Sequence, residues 1–141
     1  MAANITWNLQ NKDKLHAALA SKVGKLEAAG VYALSQVAFA IEAEAKKNIQ
    51  GTHKRGTPRV PNSTGGPNNV TGALRRSIHT EIRKGFGVYT ASVFPTMVYS
   101  RALELGLRNG ARYPYLMPAA RSIKPKANQI FRAAIMRKMR G

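Results

Sequence analysis

Apolar residues recur along the first third of the chain with a helical beat. Leu15, Leu19, Val23, Leu26, Gly30, Leu34, Val37, Ile41 and Ala45 are spaced three or four apart, one unbroken phase of a 3.6-residue period. The spacing predicts a single long helix from about Asn11 to Lys47. Asn11 serves as N-cap, Asp13 falls in the first turn, and Lys46 and Lys47 fall in the last, as the helix dipole favours. At 1.5 Å per residue the helix would be roughly 55 Å long. Gly30 lies on the stripe itself, which marks either a break or a close approach by another element. Such a helix outruns a small sheet, so its surplus stripe needs the chain's last helix or a partner to cover it. Ahead of it, Met1 to Gln10, with Trp7 and Leu9, reads as an extended arm or an edge strand.

The beat changes to a β-like alternation in two strand-like runs, His79 to Lys84 and Val88 to Phe94. Between them Gly85-Phe86-Gly87 offers two glycines free to take positive φ, so the pair reads as a hairpin. Just before it, in Val70 to Ile78, Thr71 can N-cap a short helix whose Leu74 and Ile78 share one apolar side. Met97 to Leu105 reads as helical, with Gly106 as C-cap, and the basic loop Leu107 to Arg112 follows. Tyr113 to Pro118 reads as extended because of its prolines. Pro125 then opens a closing helix with an apolar stripe of Ala127, Ile130, Phe131, Ala134 and Ile135. The pattern as a whole predicts one α+β domain over residues 1–141: a small antiparallel sheet packed against a long N-terminal helix, with a short central helix and a C-terminal helix.

One stretch follows neither beat. Ile49 to Asn69 holds three prolines, four glycines and little to bury, which predicts a long, flexible, basic loop at 50–69 that stays solvated or orders on assembly.

Composition changes the picture mainly through charge. Hydrophobic residues at 44% and charged residues at 21% are ordinary globular usage, so a packed core is expected in a chain of 141 residues. Twenty-three Lys and Arg stand against six Asp and Glu, a formal +17, which points to an acidic or polyanionic partner. There is no cysteine, and therefore no disulfide or thiolate metal site. No apolar run approaches a membrane span and Met1 to Gln10 lacks signal-peptide character, so synthesis in cytoplasm and no membrane partner are expected.

Candidate chemistry is sparse. Glu42 and Glu44, two apart on a helix, point to different faces and make a poor acid–base pair. His16, His53 and His79 lack metal-site spacing, and Ser77 with His79 lacks a third orienting group. Gly51 to Thr57 has the glycines of a phosphate loop but a threonine in the lysine position. The expectation is no catalytic residue, no cofactor and no metal. Lys54, Arg55 and Arg59 in the loop and Arg75 and Arg76 on the short helix are the candidates to touch DNA or an acidic neighbour.

Three short motifs in fixed order carry more information than any one of them. Val70-Thr-Gly-Ala-Leu-Arg-Arg-Ser-Ile78, then Val98-Tyr-Ser-Arg-Ala-Leu-Glu-Leu-Gly106, then Tyr113-Pro-Tyr-Leu-Met-Pro-Ala119 lie between two helical segments. This order resembles the tail-completion, or neck, proteins of long-tailed bacteriophages. The matching positions are Thr71, Gly72, Leu74, Ser77 and Ile78, then Tyr99, Glu104 and Gly106, then Pro114, Leu116, Pro118 and Ala119. Ser100, Leu107 and Tyr115 depart from the family's usual alanine, threonine and phenylalanine.

The resemblance implies a structural virion protein that is made in host cytoplasm and assembles as a homo-oligomeric ring of six at the head–tail junction. Its neighbours would be the connector or head-closure ring and the tail terminator or tail tube, with genomic DNA passing through the channel. Glu104 would then pair with an arginine, within or between subunits. Much of the basic surface would meet acidic neighbouring rings, with the Lys54 to Arg59 loop near DNA. The alternative that charge alone favours is a basic, nucleoid-associated-like nucleic-acid-binding protein.

Overall fold

The structure, a computed structural model, describes residues 12–52, 60–69 and 71–141. Helix α1, Lys12–Asn48, is a single element of 37 residues, as its unbroken period predicts. Gly30 neither breaks it nor admits a close neighbour, since a Cβ there would meet nothing within 4 Å. The expected cap Asn11 and the leading arm lie outside the described residues.

A two-stranded antiparallel sheet crosses α1. Strand β1, Ile78–Gly85, pairs with β2, Val88–Pro95, from Ile78 opposite Pro95 to Gly85 opposite Val88. The two-residue turn is Phe86-Gly87, with φ of 50° and 76°, the double-positive geometry that matches strand twist. Phe86, not Gly85, takes the left-handed position expected of the first glycine. Ile78, Thr80 and Ile82 share a face with Pro95, Val93 and Ala91, and Thr80 fastens that face to α1 by donating to Glu42 at 2.7 Å.

Helix α2, Ala73–Ser77, is the short helix before the hairpin. Its cap differs in detail from expectation. Gly72, at φ 75°, occupies the cap position, and Thr71 Oγ1 accepts the Ala73 N–H from one residue further back. Helix α3, Ser100–Leu105, ends at Gly106, whose φ of 135° suits glycine and whose N–H bonds to Ala102 O.

The expected extended run to Pro118 is overturned. Helix α4, Leu116–Ile123, already contains Leu116, Met117 and Pro118. Pro118 is its third residue, where a missing N–H costs nothing because first-turn donors have no partner inside the helix. One 3-10 turn, Lys124–Lys126, holding Pro125, joins α4 to α5, Ala127–Arg140. The α4–α5 limb runs antiparallel to α1: Asn48 Nδ2 donates to Tyr115 O at 2.9 Å, and at the far end Lys138 lies over the Tyr32 ring.

The core sits where α1 ends. Ala45 and Ile49 pack with Leu74, Ile78, Leu103, Tyr113, Tyr115 and Ala119. Ile49 is among the largest fully buried side chains, although it opens the stretch whose composition offers little to bury. Residues 60–69 also differ from a free loop. Asn62 donates to Asn48 O and Pro67 O, and its Oδ1 accepts from the Thr64 and Gly66 N–H groups at 2.9 and 3.0 Å. A Cβ at buried Gly66 would collide with the Asn48 carbonyl. That half of the loop is therefore held against the end of α1 chiefly by Asn62, with the Thr64 hydroxyl also donating to Asn48 O at 3.3 Å.

Candidate functional site

The motif residues meet around one carboxylate. Glu104, on α3, accepts the backbone N–H groups of Tyr115 at 3.0 Å, Leu116 at 3.1 Å and Met117 at 2.7 Å. Those are the orphan donors at the start of α4, and a carboxylate there also suits the helix dipole. Pro118 presents no fourth N–H. Of the Glu104–arginine pair expected within or between subunits, none is present among the described residues of the chain, where this carboxylate is spent on backbone.

The second motif is thereby clasped to the third, and Tyr113 N–H to Leu103 O at 2.8 Å adds a further bond. From the first motif, Leu74 and Ile78 enter the same core and Ser77 Oγ donates to Leu74 O. Tyr115, buried beside these groups, has a hydroxyl without a hydrogen-bond partner of good geometry. Burial first, and the nearby Glu104 charge second, push its pKa up to about 12, with the Ser100 hydroxyl offsetting part of the rise. Of the remaining matched positions, Gly72 and Gly106 make caps, Ala119 is fully buried, Pro114 and Leu116 are half-buried, and Tyr99 and Thr71 stand at the surface. The motif residues thus contribute core packing, helix caps and hydrogen bonds that join α3 to α4.

The unusual surface belongs to α1. Every residue from 13 to 28 is exposed, including Leu15 at 60%, Leu19 at 52%, Val23 at 62% and Leu26 at 56%. The same stripe continues through Leu34, Val37 and Ile41, spanning roughly 100° of the helix. There it forms the floor of an apolar groove of about 370 Å³. Ala91 and Val93 of β2 make one wall, and Leu116, Met117 and Ala120 of α4 the other, with Glu104 at the edge.

Helical geometry explains the groove. Ala29 and Ala33 flank the stripe on the side α5 follows; Ala38 flanks it on the other, where Glu27 and Glu42 hold the hairpin. The buried positions are thus the small residues at the stripe's edges, which let the neighbours approach, while the large apolar side chains at its centre stay half open.

Charge is distributed unevenly. Among the described residues the ion pairs are Lys46–Glu42, Lys47–Glu44, Arg83–Glu81 and Lys84–Glu27. Glu27 also accepts from the Tyr89 hydroxyl. Hydrogen bonds from Lys84 and then Tyr89 lower its pKa, and the same contacts raise that of Lys84. After Glu104 the chain has no acid at all, yet Arg108, Arg112, Arg121, Lys124, Lys126, Arg132, Arg137, Lys138 and Arg140 are all exposed.

Among the basic candidates, Arg76 bonds Thr71 O at 3.1 Å, Arg75 is exposed, and Lys54, Arg55 and Arg59 lie outside the described residues. Glu42 and Glu44 are engaged by Lys46 and Lys47, and His79 stacks edge-on against Phe94. Among the described residues no three His, Asp or Glu side chains gather in a metal-holding group, and no helix is long and apolar enough to cross a membrane.

The groove escaped the sequence reading because it joins residues distant along the chain, and the Glu104 clasp because a carboxylate that binds backbone N–H groups leaves no periodic signal. The exposed stripe did not escape it, since the excess length of α1 predicts an uncovered face. No protein-family model, no curated protein and no solved structure matches this chain.

Proposed function

We propose that this chain is a structural subunit of the head–tail junction of a long-tailed phage, assembling with copies of itself around a channel for DNA. The observation that carries the reading is the half-length of α1 that stands in solvent with an evenly spaced apolar stripe. A helix of about 16 residues gains most of its stability from packing an amphipathic face, so such a face calls for a subunit to cover it. The resemblance in motif order gives the setting. It is supported by the role of those motif residues, which are spent on core and caps, as a family defined by shape rather than by catalysis requires. Glu104 serves this reading as a positioning residue for α4.

Immunogold labelling of intact particles from the source lysate tests the proposal. Label confined to the head–tail junction is the expected result; unlabelled particles overturn it.

A second reading, nucleic-acid binding, is favoured by the nine exposed basic residues after Glu104. Salt separates the two. Six to ten phosphate contacts lose roughly a thousand- to a hundred-thousand-fold in affinity between 50 and 200 mM salt, whereas assembly through apolar burial persists.

A further inference from the structure

We propose that the exposed stripe of α1 in one copy seats in the groove between α1, β2 and α4 of the next copy. The proposal rests on the subunit reading above and names the contact that would build the assembly.

Both surfaces lie on one helix. The floor of the groove starts at Leu34, eight residues beyond Leu26, or about 12 Å along a continuous helix. A helix cannot fold back into a groove whose floor it forms, so the stripe that enters comes from another molecule.

Charge favours this seat. Lys22 borders the stripe on one side, and Glu27, already paired with Lys84, borders it on the other. In a chain of formal charge +17, the groove lining contains no lysine or arginine, and its one ionisable group is Glu104. Lys22 of an entering helix meets no like charge on the walls.

Spacing agrees as well. Leu15, Leu19, Val23 and Leu26 step by four, four and three, while the floor residues Leu34, Val37 and Ile41 step by three and four. Rows with these steps are the ones that interdigitate when helices pack. Because the donating and receiving surfaces differ, the contact is head-to-tail. Repeated from copy to copy it closes into a ring or continues as a filament.

The absence of cysteine makes the test direct. One batch of full-length protein carries Val23→Cys on the stripe, and a second carries Ala120→Cys on the groove wall. The two are mixed and treated with a short thiol–thiol crosslinker, and the products are identified by mass. The expected product is a dimer with one Val23→Cys and one Ala120→Cys chain. Its yield should rise with salt, as the repulsion between basic copies is screened. Adding Leu19→Asp to the Val23→Cys chain should remove that product without changing the circular dichroism spectrum, because Leu19 is exposed.

A product dominated by two Val23→Cys chains overturns the proposal in favour of stripe-on-stripe pairing. Absence of any dimer, with light scattering showing monomer, overturns it outright. Particles labelled at the junction without the mixed dimer would sink this contact alone, whereas a mixed dimer with unlabelled particles would sink the junction reading and leave the contact standing.

Discussion

From Leu34 onward α1 is flanked by the hairpin on one side and the α4–α5 limb on the other; from Asp13 to Leu26 the same apolar spacing stands in solvent. Nothing in the period separates the two halves. What differs is the neighbour: the hairpin and the α4–α5 limb close on the second half beside buried Ala29, Ala33, Ala38 and Ala45, whereas among the described residues no element packs along the first half, although Ala20 stands beside its stripe just as Ala38 does five turns later. A repeat of large apolar residues therefore states that a face exists. How far the hairpin and the α4–α5 limb extend, back to Glu27 and Tyr32, decides how much of that face the chain itself reaches.

The contrast breaks most visibly where the covered half depends on α4. Replacing Glu104 with alanine removes three charge-assisted bonds and strands the first N–H groups of that helix. The expected loss is about 3 kcal/mol by urea unfolding. A loss under about 1 kcal/mol would mean that water replaces the carboxylate freely.

Next in size is overpacking. Ala33 is fully buried, so Ala33→Leu should cost about 1–3 kcal/mol and lower the melting temperature. An unchanged melting temperature would show that α5 does not press on this flank.

Acid should loosen the hairpin's hold on the covered half by a smaller amount. Burial opposes ionisation of Glu42, but hydrogen bonds from Lys46 and Thr80 and the Lys46 charge outweigh it, so its folded pKa lies below 4.5. A depressed carboxylate contributes stability above its unfolded value, and that contribution disappears as pH falls through the folded value. Glu42→Gln should therefore flatten the acid side of the stability profile below about pH 4.5 while leaving the shape near neutrality unchanged.

The smallest effect sharpens the comparison from the other side. Leu19→Ala should change monomer stability by less than about 0.5 kcal/mol, as an exposed position does, and alanine even favours helix. A loss of 2 kcal/mol or more would show that the stripe is already covered within one chain.

Much of the fold is legible because its signals are local. The period of α1, the alternation of the two strands and the stripe ending in Ala134 and Ile135 each state an element within a few turns of chain. The start of α4 was hidden because prolines at 114 and 118 bias their predecessors toward extended backbone, while the group that satisfies the helix sits a dozen residues earlier on α3. An acid ahead of a proline-bearing helix start was the only sign of it. Ile49 and Asn62 were obscured by the glycines and prolines between them, since turn composition says nothing of what one asparagine can pin. The Phe86 turn shows a neighbouring residue taking the conformation that Gly85 could have adopted, because strand register decides which two positions form the turn.

The Glu104 clasp also bears on the order in which the chain comes together. It closes a loop of only 11 to 13 residues, whereas the Asn48–Tyr115 bond spans 67. Loop closure costs roughly 0.6 kcal/mol more for each doubling of length, so the α3–α4 corner is the cheaper nucleus and α1 docks onto it later. In refolding kinetics, Glu104→Ala should accordingly slow folding more than it speeds unfolding. A mutant that refolded at the parent rate and only unfolded faster would reverse that order and make the long helix the template on which the corner forms.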